Sequence, residues 1–209
     1  MEPKTEMKDV EKVKNPNHPS KGDRIRVDPI RRIEDIQSIK KLLSNNPRDL
    51  LLFTMGINNG LRVGDLLRLR VEDVRNLKEG DSITIVESKT GKSNILMLNK
   101  AVSKALRNYF EKLHPNDEDF LFASRKGRNP LTVQAVNTLV KKWTKSINLN
   151  HGNFGAHTLR KTFGFIQRTK FGVGFEVLAK RFNHSSPATT MHYLGIVDKE
   201  VNWILMNEI

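Results

Sequence analysis

The chain of 209 residues contains no cysteine. Disulfides, thiolate zinc sites and cysteine nucleophiles are therefore excluded. No apolar run reaches the length of a membrane span, so a membrane is not an expected partner. The opening stretch MEPKTEMKDVEK is polar and of mixed charge, not a secretory signal, which points to a cytoplasmic protein. Tyrosine is scarce, with only Tyr109 and Tyr193. A Gly-rich phosphate loop is missing too: SKTGKS lacks the Walker spacing, so ATP is not expected. Clustered carboxylates, which two-metal phosphoryl chemistry needs, are also lacking. The acidic groupings VED at 71–73 and NDED at 116–119 fall at a helix end and in a loop, without a third partner. His151 and His157 are not at helical ligand spacing for zinc. Neither a metal nor a cofactor is expected.

What the chain has in excess is positive charge, with 36 Lys and Arg against 23 Asp and Glu, a net +13. The first 32 residues hold nine Lys/Arg and six Asp/Glu, so most of the excess belongs to the later, periodic part. A basic globular surface suits a polyanion, and nucleic acid is the expected partner.

Residues 1–25, with NPNHPSKGD and no apolar period, read as a flexible tail or linker, and 26–209 as one domain. From Ile33 the spacing turns helical, with Ile36, Ile39, Leu42 and Leu43 assigned to one face. NNP at 45–47 stops that helix. RDLLLFTMGI reads as a second, largely buried helix ended by NNG at 58–60, and VGDLLRLR as a short third. SITIVES and SNILMLN, joined by KTGK, predict a β-hairpin. Helices follow over 101–113 and from Thr132 through Trp143, with DFLFAS as an extended piece between them. The last third predicts helices at about 157–170, 174–182, 187–193 and 198–206. Ser186-Pro187 is a strong start for the third of these, because serine caps and proline at the first helical position forfeits no hydrogen bond. The fold class is mainly α with a small antiparallel β-sheet (α+β).

The residues able to do chemistry are mostly cations. Arg62 follows an Asn-Gly helix stop, with Asp65 one turn along as a partner for its guanidinium. His157 and Arg160 lie one turn apart at a helix start, where the helix dipole favours a phosphate. Lys89 and Lys92 flank the hairpin tip, His184 precedes the Pro187 helix, and Tyr193 ends it. Taken singly, each has an ordinary reading as a solvated charge, a cap or a packing residue.

Taken together they run Arg62, Lys89, His157-x-x-Arg160, His184, Tyr193. In order, spacing and local context this resembles the tyrosine recombinase (phage integrase) family. GLRVGDLLRLRVEDV is similar to its first-arginine box, HTLRKTFG to its His-x-x-Arg box, and FNHSSPATTMHYLGI to its final box. The resemblance covers Ile33 to the C-terminus, and it implies the catalytic-domain fold of that family. It also implies a site-specific recombinase or integrase, typical of mobile elements, that cleaves and rejoins double-stranded DNA through a covalent 3′-phosphotyrosine intermediate. Two other readings share the fold: a type IB topoisomerase-like nicking-closing enzyme and a DNA-binding regulator. Presence of all six candidates argues against the regulator.

In the roles that the resemblance implies, Arg62, Arg160 and His184 donate to the non-bridging oxygens, where the transition state concentrates charge. Tyr193 is the nucleophile, and His157 accepts its proton. Lys89 protonates the leaving 5′-oxygen; Lys92 is the alternative register. Asp65 supports the site in place of the glutamate common in the family. Self-assembly as a dimer or tetramer on DNA is expected, with Val201, Ile204 and Leu205 as a contact in trans or in cis. The residues before Ile33 are too few for the family's usual N-terminal clamp domain, so the expectation is a minimal single-domain recombinase, a fragment of a longer chain, or a partner that supplies the clamp.

Overall fold

The computed structural model describes residues 27–125, 127 and 129–195. The tail 1–25, the helix expected over 198–206 and Val201, Ile204 and Leu205 lie outside the described residues. Along the chain run α1 (Ile33–Leu42), α2 (Pro47–Asn59), α3 (Val63–Leu66), α4 (Glu72–Arg75), β1 (Ser82–Val86) and β2 (Ser93–Met97). They are followed by α5 (Lys100–Leu113), α6 (Val133–Ser146), α7 (Ala156–Phe171), α8 (Phe175–Arg181) and α9 (Pro187–Leu194). The fold is thus mainly helical with one two-stranded antiparallel sheet, as the sequence pattern implies.

The centre is α2. Asn46 caps it by accepting from the Asp49 N–H, and Pro47 sets its first turn. Its middle is apolar on nearly all sides, and Leu51, Leu52, Phe53 and Met55 are all fully buried. Each such side chain contributes about 1.5–3 kcal/mol relative to exposure. The helix packs against α5 and α7. Gly60 ends it in the left-handed conformation (φ 60°). In α1 the buried face is Ile36, Ile39 and Leu43, whereas Leu42 is 44% exposed. The spacing 36, 39, 43 closes one helical stripe, and Leu42 falls roughly 90° from its centre.

The expected third helix is one turn only, because Arg70 leaves it to bridge Phe120 in the extended DFLFAS piece. VED does not end a helix but begins α4, where the Asp73 carboxylate accepts from the Arg70 N–H at 2.7 Å. In the hairpin, Ser82 pairs with Met97 and Val86 with Ser93. Ile83 and Ile85 on β1 and Asn94 and Leu96 on β2 face the protein. Gly91 (φ 66°) permits the turn.

A smaller apolar cluster of Leu178, Phe182 and Leu194, with Phe163, Phe165 and Tyr193 against it, fastens α8 and α9 to α7. Ser186 caps α9 by accepting from the Thr189 N–H. The segment entering α1 is stitched to α7: the Ile30 N–H donates to the Thr162 hydroxyl and the Thr158 hydroxyl donates to the Asp28 carbonyl, both at 2.9 Å. Helix α7 is thereby held from both sides before it delivers any side chain to the site.

Gly60 combines positive φ with a close approach, since an added Cβ would lie 2.3 Å from the Phe163 ring. Gly60→Ala is expected to lower unfolding free energy in a denaturant titration by about 2–4 kcal/mol, from backbone strain plus overpacking. Gly80 (φ 95°) has nothing within 4 Å of its added Cβ. Gly80→Ala therefore carries the strain without the clash, and its loss should be clearly smaller.

Candidate active site

The C-terminal end of α2 is the foundation of the site. Its last carbonyls carry the negative end of the helix dipole, and two arginines from later elements cap them. Arg160 of α7 donates from Nη1 to the Gly60 carbonyl and from Nη2 to the Phe182 carbonyl, each at 2.7 Å. Arg181 of α8 donates from Nε to the Asn59 carbonyl at 3.0 Å, from Nη1 to the Asn94 side chain at 2.7 Å and from Nη2 to the Ile95 carbonyl at 2.8 Å. The guanidinium of Arg160 also stacks 4.5 Å over the Phe182 ring. Arg160 is 2% exposed. Burial, opposed by the nearby Tyr193 and reinforced by Arg62, brings its pKa down to about 10, so it stays cationic at neutral pH.

Two residues past Gly60, Arg62 is the N-cap residue of α3. Its guanidinium pairs with Glu87, not with Asp65 as the sequence suggests. As the N-cap residue Arg62 has extended backbone (φ −67°, ψ 138°), so its side chain does not follow the helical face that carries Asp65. The Asp65 carboxylate instead accepts from the backbone N–H and the hydroxyl of Ser88, both at 2.8 Å, and so fixes the hairpin tip. Glu87 is wholly inaccessible to solvent. Burial pushes its carboxyl up, but hydrogen bonds from Thr90, Asn94 and Arg62, with the charge of Arg62, bring it to about 2.

Arg62, Lys89 and His157 line one cleft of about 220 Å³, with Val63, Gly64, Ser88, Val133 and Ala156 as its remaining walls. The cleft has Lys89 and not Lys92 in its lining. His157, in the first turn of α7, reaches solvent, unlike Arg160 one turn later. Desolvation by its neighbours and the charges of Arg160, Arg62, Lys89 and Lys161 hold His157 below its ordinary pKa. The two residues of the His-x-x-Arg pair therefore share a direction but not a depth.

The last pair comes from α8–α9. His184 engages the buried Thr190 hydroxyl through Nδ1 at 2.9 Å. Its ring lies 5.2 Å from the rings of both Phe182 and Tyr193. Burial, with Arg160 and Arg62 adding to it, lowers its pKa to about 4, so the imidazole is neutral at physiological pH. The Tyr193 ring packs edge-on to Phe182, and the Lys161 ammonium sits 4.9 Å over its face. The phenol oxygen is shielded from solvent and has no hydrogen-bond partner. Burial raises its pKa, while Arg160 and Arg62 pull it back down. Arg160 is near enough to act on the phenol electrostatically, yet the pair lacks the geometry of a hydrogen bond. A buried hydroxyl left unpaired amid cations is costly unless a ligand completes it.

The fold thus gathers Arg62, Lys89, His157, Arg160, His184 and Tyr193 at the junction of α2, the hairpin, α7 and α9. Sequence reasoning missed Glu87, Asn94, Arg181 and Lys161. Glu87 had a signal: it continues the inward parity of Ile83 and Ile85 and should face the protein. Arg181 and Lys161 had none. The acidic groups of VED and NDED serve local structure, with Asp117 pairing with Arg75 and Asp119 accepting from the Asn116 N–H. Among the described residues no group of three or more His, Asp or Glu converges as metal ligands would. No described helix is long and apolar enough to cross a membrane.

The model of the phage integrase family matches residues 23–200. The probable integrase/recombinase YoeC of Bacillus subtilis is 38% identical over 173 residues, which span 81% of this chain and 90% of that protein. Tyrosine recombinase XerC of Caldanaerobacter subterraneus is 30% identical over 79% of this chain, but the match spans only 48% of that protein. The match to a tyrosine recombinase of Pseudothermotoga lettingae spans 56% of it. The chain therefore spans about half the length of these last two relatives. Among solved structures, a crystal structure of XerA recombinase aligns with a TM-score of 0.71 at 23% identity, covering 87% of this chain and 67% of that one. XerH site-specific recombinase bound to palindromic difH substrate, a post-cleavage complex, aligns at 0.66 with 20% identity, covering 86% and 53%. At these identities the likeness establishes the fold.

The depressed pKa of His184 has a consequence for stability. Between 6.5 and about 4 the unfolded chain takes up a proton at this position that the folded chain refuses. Its contribution is therefore intact above pH 6.5 and is lost as pH falls toward 4. Denaturant midpoints measured across that window should fall on acidification, and His184→Asn should flatten the fall. An unchanged slope would show that His184 titrates normally in the folded protein.

Proposed function

The chain belongs to the phage integrase family of tyrosine recombinases, and from that we propose that it is a site-specific recombinase that breaks and rejoins double-stranded DNA through a covalent link to Tyr193. The observation that carries this reading is the phenol of Tyr193, shielded and without a partner, under the field of Arg160 and Arg62. A scissile phosphate placed there supplies an anion for Arg160, which among the described residues bonds only backbone carbonyls, and a second one for Arg62 beside Glu87.

In this reading Arg62 and Arg160 grip the non-bridging oxygens, and guanidinium forks suit that task better than ammonium groups. Neutral His184 donates a hydrogen bond to the same oxygens. The Tyr193 oxygen forms a bond to phosphorus as the bond from phosphorus to the 5′-oxygen breaks. His157, held below its ordinary pKa, is free at neutral pH to take the phenolic proton. Lys89 gives a proton to the departing 5′-oxygen. The product is a 3′-phosphotyrosyl ester and a free 5′-hydroxyl. Attack by a 5′-hydroxyl reverses each step, so neither ATP nor a metal is required for rejoining.

Several protomers assemble on one DNA in this proposal, as a dimer or tetramer, because exchange needs two duplexes cut together. A fold neighbour, lambda integrase, is a dimer bound to a COC′ core site. The enzyme works in the cytoplasm, where its DNA is, and serves a mobile element.

Incubation with DNA flanking the protein's own gene, followed by a denaturing gel, tests the reading. Tyr193→Phe should abolish the covalent adduct while leaving DNA affinity within a few-fold, whereas the buried Tyr109→Phe should still form it. An adduct from the Tyr193 variant would remove the nucleophile assignment. For Lys89, alanine should slow single-turnover cleavage by roughly 10²–10⁴-fold on normal DNA. On DNA with a 5′-bridging sulfur, which leaves without a proton, the loss should be far smaller. Equal losses on both substrates would make Lys89 a binding residue.

A further inference from the structure

Glu87 is a carboxylate inside a site built for an anion, and the reaction proposed above gives it no step. It holds four relations at once. One is the ion pair with Arg62. A second is the Thr90 hydroxyl, which donates to Oε2 at 2.7 Å, and a third is the Asn94 amide, which donates to Oε1 at 2.9 Å. The fourth is covalent: Glu87 directly follows β1, two residues before Lys89. Asn94 is itself held, because its side-chain oxygen accepts from Arg181, which also grips the α2 end through Asn59. The Arg181 carbonyl in turn accepts from the Asn94 amide at 3.3 Å.

A carboxylate so enclosed does not leave when DNA arrives, since it would strand Thr90 and Asn94 as well as Arg62. It anchors one edge of the Arg62 guanidinium and leaves the rest for a phosphate; the Arg62 side chain keeps 18% of its surface exposed. It also ties the position of Arg62 to that of the hairpin tip, where Asp65 holds Ser88. We infer that Glu87 is a positioning residue for strand cleavage: through the chain Arg181–Asn94–Glu87 it sets the guanidinium of Arg62 and the Lys89 turn as one unit. Its negative charge also offsets the mutual repulsion of Arg62 and Arg160.

This inference rests on the recombinase reading, and one half of its test does not. Glu87→Gln keeps the shape and the acceptor oxygen but removes the charge. In single-turnover adduct formation it should lose about tenfold or more, as expected when a charge-stabilising group shifts by a fraction of an ångström, with DNA affinity changed by less than about threefold. Placed in an Arg62→Ala background, it should cost less than about twofold further, because both changes remove the same contact. Glu87→Asp should fall between Gln and the wild type. The second half needs no DNA: nitrogen-15 relaxation at Arg62 Nε should report a lower order parameter in Glu87→Gln than in the wild type. Cleavage within twofold of wild type, a loss that multiplies undiminished in the Arg62→Ala background, or an unchanged Arg62 order parameter would each overturn the inference. A wild-type protein that forms no adduct would count against the recombinase reading, and the relaxation measurement would still decide on Glu87.

Discussion

The arrangement depends on crowding cations at the edge of a protein core without letting them drive it apart. Arg62, Arg160 and Arg181 converge on the end of α2, with Lys89, His157 and Lys161 around them. Isolated charges moved out of water cost several kcal/mol each even after relaxation. Here the cost is offset by groups that were already present for other reasons. The α2 terminus supplies carbonyls at Asn59 and Gly60 that need donors, and the turn into His184 supplies another at Phe182. The buried carboxylate of Glu87 pairs with Arg62 and balances part of the remainder.

That solution constrains the fold. Gly60 must be glycine to turn the chain at α2 and let Phe163 approach. Helix α7 must begin where it does so that His157 meets the cleft while Arg160, one turn on, meets the carbonyls. Helix α9 then lays Tyr193 against Phe182, the same ring on which Arg160 stacks. Phe182 is therefore shared between packing and electrostatics: it carries the cation on its face and positions the nucleophile candidate at its edge. His157 and His184 are held below their ordinary pKa under the same field, so they add no full positive charge to the cluster at neutral pH.

Much of this was legible in the residues, for physical reasons. Helices with strong stops, such as the one between Asn46 and Gly60, announce themselves through caps and breakers. The Ser186-Pro187 start of α9 does the same. The order of Arg62, Lys89, His157, Arg160, His184 and Tyr193 carried the family resemblance. Partners across the fold were not legible. Asp65 is the nearest acid to Arg62 along the chain, yet Arg62 is extended at the N-cap and points its side chain elsewhere, to where the hairpin delivers Glu87. The α4 turn was hidden because it is held by Asp73 within it, whose carboxylate bonds backward to the Arg70 N–H, a local choice that periodicity does not register. Arg181 reads as one more surface cation until α8 is docked on α7. Pairing over long sequence separation is a property of the packed structure, and a single sequence does not encode it in any local pattern.

The central claim is that this cation cluster exists to hold a phosphodiester against Tyr193. The most direct measurement is mass spectrometry of the protein trapped on DNA flanking its own gene, after nuclease trimming of the strand and proteolysis. The account predicts a nucleotide joined through its 3′-phosphate to the peptide that contains Tyr193, at the phenol oxygen. A nucleotide carried by any other residue, or joined through a 5′-phosphate, would contradict it.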